Sequence, residues 1–402
     1  MKHRILFVLS TFPALGGIEK LSLQLALAFR QEGHEVAFVS WKKSQTAWLD
    51  AETFTCYHLP NQRDINAFEN LSYLKQLICT QDFDIVLNQG VASLVYRLFD
   101  ADAKHKVINV LHADPAWLFQ RRRQMDFPVA AWRPSQWKSL LRYLYIKLFP
   151  SLSDKKVCRM LRDEIQQSAA YVLLHDSYKT HVLNALENAF ALSAGERQNL
   201  SDKMFAIPNP VTTSAVRTSA EKIILYTGRF SCKDKGLDIL LRVWSKLALL
   251  LPDWHLHLRG DGPDKAKLEQ MILREKLPRV LLLPPIWDES LYAQAAVCAL
   301  PSRTEAQGLS QMEAQQAGLV PVLFRLNDMM EEMLQNGQSG LLVPCFDEDA
   351  YADALLRLCR DEALRCDMSQ RAQSHMKNYT IERILPSWLR LFDDLSSGFS
   401  QL

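Results

Sequence analysis

Short apolar runs alternate along this chain with longer segments whose apolar positions recur three and four residues apart. Ile5–Leu9 is the first run, Gly16-Gly17 stands in the loop behind it, and Leu21, Leu25 and Ala28 follow at helical spacing until Glu32-Gly33-His34 ends the helix. A mostly apolar strand, Glu35–Ser40, completes a β-α-β unit of the doubly wound kind. Further strands are predicted at Ile85–Asn88, Val107–Leu111 and Tyr171–Leu174. After Pro208-Asn209-Pro210 and a polar stretch to Glu221, a second series runs through Ile223–Tyr226, His255–Leu258, Val280–Leu283, Val297–Leu300, Val320–Phe324 and Gly340–Val343. Strands that alternate with helices imply parallel sheets, so the pattern predicts an α/β chain of two doubly wound domains. The boundaries fall at 1–210 for the first domain, 211–221 for a linker, 222–378 for the second domain and 379–402 for a last helix. That helix carries Ile384, Leu385, Trp388, Leu391 and Phe392 on one face and must pack on something already folded; Pro386 should kink it or mark its true start.

Length and composition agree with this picture. The 402 residues, 48% hydrophobic and 23% charged, suffice for two cores and exclude a disordered or collagen-like chain. A formal charge of +2 gives no global basic field for nucleic acid or an anionic membrane. The total hides an asymmetry, because residues 1–200 carry a net +5 and residues 201–402 a net −3, so the two halves are expected to meet different partners. The eight cysteines form no CxxC pair and read as reduced thiols of a cytosolic protein. Ile5–Leu9 is too short for a signal peptide, and no stretch approaches the roughly 18 apolar residues of a spanning helix, so membrane contact is expected to be peripheral.

The strongest chemical pattern follows the strand Val297–Leu300. In Pro301-Ser302-Arg303-Thr304-Glu305-Ala306-Gln307-Gly308-Leu309-Ser310-Gln311-Met312-Glu313, two carboxylates stand eight residues apart across a strand-to-helix junction. On one helix they would be separated by about 12 Å of rise, beyond the roughly 5–9.5 Å of a glycosidase pair. They suit the two ends of an elongated ligand, with Gly308 and Leu309 opening a helix whose N–H groups favour a diphosphate. The same spacing also fits a loop glutamate and a helix-face glutamate with no shared ligand. The second pattern is Gly228-Arg229 with Lys235-Gly236, after the first strand of the second domain. A guanidinium and an ammonium there would neutralise a departing diphosphate, or would be a solvated cation pair.

Together with Gly16-Gly17-Ile18-Glu19, Pro208-Asn209-Pro210, Gly260-Asp261-Gly262-Pro263, Ala317-Gly318-Leu319-Val320-Pro321 and Asn336-Gly337, these residues stand in family order. The chain resembles the retaining GT-B glycosyltransferases of the group 1, family 4 type, which build bacterial cell-surface glycans and glycolipids. The resemblance implies two Rossmann-like domains facing a cleft, with the C-terminal helix returning to the first. It implies that Arg229 and Lys235 stabilise the donor diphosphate, Glu313 binds the ribose hydroxyls and Glu305 contacts the transferred sugar. Gly17 would let backbone approach the phosphates or acceptor, His112 would hydrogen-bond the donor sugar, and Ile286, Gly308 and Leu309 would complete the donor site. The donor would be a nucleotide-sugar, a UDP-sugar before a GDP-sugar, with no cofactor and no metal. Two Asp-x-Asp matches, Asp82-Phe83-Asp84 and Asp100-Ala101-Asp102, precede strands and so lie away from the functional edge. Two departures stand out: Ala306-Gln307 replaces the usual glycine or aromatic residue after the first glutamate, and Pro284-Pro285 stiffens the loop expected to touch the base.

The acceptor side is marked differently. Between Gln120 and Arg162 stand eleven basic residues and two acidic ones, with aromatic residues among them. Arg121, Arg122, Arg123 and Arg133, with Trp137, Lys138 and Arg142 on an amphipathic segment, suit the anionic inner surface of a cell membrane, and the same segment also reads as a core-facing helix with solvated flanks. No nucleic-acid-binding module accompanies it. The resulting expectation is a cytoplasmic, peripherally membrane-bound enzyme that transfers a hexose or N-acetylhexosamine to a glycan or lipid-linked acceptor. A nucleotide-sugar epimerase of the same fold and a non-catalytic sugar-nucleotide-binding, membrane-docking module use the same residues and stay as alternatives.

Overall fold

The computed structural model of the protein describes residues 1–14, 16–42, 53–90, 95–99, 104–116, 118–119, 148, 150–211, 221–285 and 290–397. The chain divides into two compact units, Met1–Pro208 with Leu385–Leu402, and Asn209–Ile384.

The first unit is built on a seven-stranded sheet in the order β3-β2-β1-β4-β5-β6-β7. The strands are β1 (Arg4–Thr11), β2 (Glu35–Lys42), β3 (Thr55–His58), β4 (Ile85–Asn88), β5 (Lys106–Val110), β6 (Ala170–Leu173) and β7 (Met204–Ala206), and every pairing is parallel. The second unit holds a six-stranded parallel sheet in the order β10-β9-β8-β11-β12-β13. Its strands are β8 (Ile223–Thr227), β9 (His255–Arg259), β10 (Val280–Leu283), β11 (Val297–Leu300), β12 (Val320–Phe324) and β13 (Leu341–Val343). Helices covering both faces of a parallel sheet leave its inner strands no wet side, which is why β4, β8, β11 and β12 are buried throughout and are apolar along nearly their whole length. The edge strand β10 keeps Leu281 exposed.

Two strands were not foreseen from the pattern, β3 and β7, and both sit at the ends of the first sheet. An edge strand is covered less completely, so Thr55-Cys56-Tyr57-His58 and Met204-Phe205-Ala206 carry no long apolar run to mark them.

The chain enters the second unit at Asn209 and leaves it after Ile384, and the Val211 N–H donates to the Tyr379 carbonyl (2.7 Å). The last helix, Ile381–Ser396, continues through Pro386, which neither starts nor ends it. The proline removes one hydrogen bond of the ladder, and the buried face of the helix holds it nonetheless, with Trp388, Leu391, Phe392 and Leu395 all buried. From Leu385 onward this helix belongs to the first unit, as the resemblance implies. There Phe392 packs against Phe29 (ring centroids 5.2 Å apart) and edge-on against His3 and His34.

His34 is buried in this cluster, stacked on His3 at 5.5 Å, and its Nδ1 accepts from the His3 backbone N–H (3.0 Å). Burial first, then the positive charges of His3, Lys2 and the N-terminus, hold its imidazole down at about 4. Because the folded value lies below the ordinary 6.5, the neutral ring supports folding fully above pH 6.5, and that support is lost as pH falls towards 4. The loss is at most about 3–4 kcal/mol. His34→Gln, which keeps an acceptor but takes up no proton, is expected to flatten the pH dependence of unfolding between pH 4 and about 6.5. Urea titrations over that range check this, and an unchanged slope would count against it.

Candidate functional site

In a doubly wound sheet the ligand edge lies beyond the carboxyl ends of the strands, at the point where strand order reverses. In the second sheet that point is between β8 and β11. Thr227 ends β8, and Gly228 leads into Arg229, Phe230 and Ser231. Gly260 and Gly262, after β9, lie directly on this turn, with the Phe230 N–H donating to the Asp261 carbonyl (2.8 Å). Arg229 is largely exposed and donates to Asp234 Oδ2 (2.7 Å), while Ser231 Oγ accepts from the Asp234 N–H (3.2 Å) and so starts the short helix Cys232–Lys235. Gly236 then takes a left-handed conformation (φ +64°), where a Cβ would stand 2.0 Å from the Pro301 carbonyl oxygen. Only a glycine allows the loop after β8 to close this tightly on the loop after β11.

Arg303 locks the two loops from the other side. Its guanidinium grips Asp238 with two bonds (2.8 and 2.9 Å) and donates to the Cys232 carbonyl, while its N–H donates to the Asp234 carbonyl (2.9 Å). Asp238 also accepts from Arg242 (3.2 Å), and these two cations outweigh partial burial to hold its carboxyl below the usual range.

The consequence is a direct contact between the two sequence patterns. Lys235 Nζ lies 2.5 Å from Glu305 Oε1, with both side chains mostly buried, and Ser302 Oγ donates to the same oxygen (2.8 Å). The Glu305 carbonyl accepts from Asn327 Nδ2 (2.9 Å). Two residues on, the buried Gln307 side chain accepts from the Asn209 N–H (2.7 Å) and donates to the Asn209 carbonyl (3.1 Å). The departure at Gln307 therefore ties the Glu305 loop to Asn209.

Gly308 (φ +75°) opens the helix Leu309–Ala317 and supplies no capping side chain. One turn in, Glu313 is buried, and its Oε2 accepts from the Tyr292 phenol (2.8 Å), itself 2.7 Å from Thr227 Oγ1. Glu305 thus sits in the loop after β11 and Glu313 on the helix that follows it, rather than both along one helix face.

The remaining expected residues fall in the first unit or outside the described residues. Gly17 begins the helix Gly17–Gln31 after β1, preceded by Gly16 as N-cap. A Cβ at Gly16 would meet the Glu19 carboxylate at 1.9 Å, so that side chain folds back over the helix start, and burial raises its pKa. His112 follows β5 and its Nε2 is 2.5 Å from Gln89 Oε1, on the residue after β4. Asp82 pairs with Lys104 (2.6 Å), and Asp84 accepts from the Arg4 N–H (2.9 Å), so this Asp-x-Asp match serves the fold. Asp100 to Asp102, the linker residues 212–220, Ile286 and the basic stretch that contains Arg121, Arg122, Arg123, Arg133, Trp137, Lys138 and Arg142 lie outside the described residues. No helix among the described residues is long and apolar enough to cross a membrane.

Several residues of the site were not found from sequence: Thr227, Asp234, Tyr292, Ser302 and Asn327. Each is an ordinary polar residue whose partner is set by the sheet; Thr227 and Ser302 stand inside the patterns singled out from sequence, but neither was assigned a role.

Residues 214–375 match the family model described as Glycosyl transferases group 1. The second unit is a group 1 glycosyltransferase domain. Across the whole chain, an uncharacterized glycosyltransferase of Haemophilus influenzae is 23% identical over 96% of this chain and 98% of its own length. A D-inositol 3-phosphate glycosyltransferase of Corynebacterium urealyticum is 32% identical, over 43% of each chain. Among solved structures, Staphylococcus aureus TarM in complex with fondaparinux, alpha-GlcNAc-glycerol and UDP superposes with a TM-score of 0.70 at 13% identity, covering 97% of this chain and all of that one. Sucrose-phosphate synthase from Thermosynechococcus elongatus gives 0.73 at 16% identity, covering 98% and 100%. The fold is GT-B, and the activity that these similarities support is glycosyl transfer from a nucleotide-sugar.

Proposed function

We propose that this glycosyltransferase is retaining and metal-independent and moves a hexose or N-acetylhexosamine from a nucleotide-sugar, UDP before GDP, to a glycan or lipid-linked acceptor. The carrying observation is the Lys235–Glu305 contact at the reversal point of the second sheet, with Arg229 on the same loop as Lys235. In the proposed reaction the bond between the sugar's anomeric carbon and the diphosphate breaks, and a bond to the acceptor oxygen forms on the same face. The acceptor proton passes to the departing diphosphate. Charge then accumulates on the phosphate oxygens, where Arg229 and Lys235 balance it without transferring a proton. Glu305 holds the transferred sugar and Glu313 the ribose, while the backbone at Gly308 and Leu309, Ile286, Gly17 and His112 complete the donor's surroundings.

The UDP in the TarM structure supports the choice of base. The acceptor class is supported by the alpha-GlcNAc-glycerol held there and by a 22% identical poly(ribitol-phosphate) alpha-N-acetylglucosaminyltransferase of Staphylococcus aureus, aligned over 60% of this chain. Arg121 to Arg123, Arg133, Trp137, Lys138 and Arg142 would hold the protein on the anionic inner face of the membrane. Co-sedimentation with anionic but not neutral vesicles at low salt tests that part.

Thermal unfolding with UDP-, GDP- and ADP-sugars tests the donor. A UDP-sugar at about 100 times its Kd is expected to stabilise by about 2.7 kcal/mol, and Arg229→Ala and Glu313→Ala should each remove most of that gain. If none of the nucleotide-sugars raises the unfolding temperature, the donor site is wrongly assigned.

A further inference from the structure

The carboxylate of Glu313 is held by hydroxyl groups that none of the roles above requires. Tyr292 is buried, and its phenol oxygen lies 2.8 Å from Glu313 Oε2 and 2.7 Å from Thr227 Oγ1. A phenol has one proton, and a carboxylate only accepts. Tyr292 therefore donates to Glu313 and accepts from Thr227, which gives the three groups one direction: threonine hydroxyl to phenol to carboxylate. Burial, and then the Glu313 charge, push the phenol well above its ordinary range, so it keeps that proton.

The three residues come from three elements. Thr227 ends β8, Tyr292 sits on the short helix Ser290–Gln294, and Glu313 projects from the helix Leu309–Ala317. The last torsion of a glutamate is broad and roughly two-fold, so nothing within Glu313 sets the plane of its carboxylate. A donor anchored on a separate, buried element does. A neutral donor also leaves the negative charge in place, and it occupies one acceptor position of the carboxylate's four or so. A lysine at the same place would have cancelled the charge that a vicinal diol is meant to meet.

We propose that Tyr292, backed by Thr227, is a positioning residue that fixes the plane of the Glu313 carboxylate and thereby sets how strongly the site discriminates a nucleotide with ribose hydroxyls from one without them. This rests on the reading of Glu313 as the ribose-binding group. Neither hydroxyl touches the nucleotide in this account, so their effect is confined to the diol.

Calorimetric titration of the full chain with UDP, GDP and their 2′,3′-dideoxy forms tests it. The wild type is expected to bind the ribose form of its nucleotide at least tenfold more tightly than the dideoxy form. Tyr292→Phe should weaken the ribose form about five- to tenfold and leave the dideoxy form within twofold, so that most of the discrimination disappears. Thr227→Val, a milder change behind the phenol, should weaken the ribose form about two- to threefold in the same selective way, and it carries the test if Tyr292→Phe folds poorly. A purely structural role would weaken both forms together. Equal weakening of both forms, or wild-type discrimination in both variants, overturns the proposal alone. A wild type that binds both forms equally, or neither, overturns the reading of Glu313 and the proposal with it.

Discussion

Lys235→Met is expected to slow release of nucleoside diphosphate from a nucleotide-sugar by about 10²–10³-fold, the size of effect seen when one preorganised charge-stabilising group is removed from a water-poor site. The ammonium stands between a loop that carries Arg229 and the carboxylate of Glu305, 2.5 Å away. In the proposed reaction negative charge grows on the phosphate oxygens as the bond to the diphosphate breaks, and a fixed ammonium there would be worth far more than in water because nothing has to reorient. Methionine keeps the length and the packing and removes only the charge. Stability should also fall, since Glu305 would lose its cation in a mostly buried position and keep, among the described residues, the Ser302 hydroxyl. The two effects separate in the double variant Lys235→Met with Glu305→Gln. It should recover much of the lost stability because no unpaired charge remains, yet recover none of the rate. Single-turnover nucleotide release and urea unfolding of the wild type and both variants check this, and a Lys235→Met protein within tenfold of wild-type rate would show that the ammonium has no part in the chemistry.

Gly236→Ala is expected to destabilise the second unit by about 3–5 kcal/mol, from a left-handed residue that gains a side chain and from overpacking against a carbonyl that is unable to move aside. The Pro301 oxygen would lie 2.0 Å from the new Cβ. That carbonyl belongs to the residue directly after β11, and the loop around it is pinned by Arg303 on Asp238 and by Lys235 on Glu305. Relief therefore requires the loops after β8 and β11 to part, which also separates the groups proposed to share the donor. Gly195 provides the contrast. It lies in the helix Ala194–Asp202 with nothing within 4 Å of an added Cβ, so Gly195→Ala should change stability by less than about 1 kcal/mol, and in the favourable direction. Thermal unfolding of both variants distinguishes them, and equal melting temperatures would mean that the contact at Pro301 is not restrictive.

Much of the architecture was legible beforehand because a strand buried on both faces has no solvent side to encode. Ile5–Leu9, Ile85–Asn88 and Val297–Leu300 read as short, almost wholly apolar runs and proved to be inner strands, the last two with the expected ends and the first extended by one residue before and two after. The same logic failed at the sheet edges, where β3 and β7 need no such run. Pro386 does not mark the start of the last helix, for a related reason. A local rule forbids it in a helix interior, but the buried face formed by Trp388, Leu391 and Phe392 outweighs one missing hydrogen bond.

Glu305, Glu313, Arg229 and Lys235 could be singled out from spacing and glycines, since those features lie within a few residues of each other and follow a strand. Their partners could not. Thr227 and Tyr292 are 65 positions apart, Asn209 and Gln307 are 98 apart, and nothing local marks either pair. The chain by itself determined the two parallel sheets, the order of the motifs and which loops leave the carboxyl ends of the strands, because hydrophobic periodicity and glycine placement are local properties. The tertiary structure alone decided that the loops after β8 and β11 meet, that Lys235 faces Glu305, and that a threonine and a tyrosine hold Glu313. Those contacts depend on strand order, and strand order is settled by how the whole sheet packs.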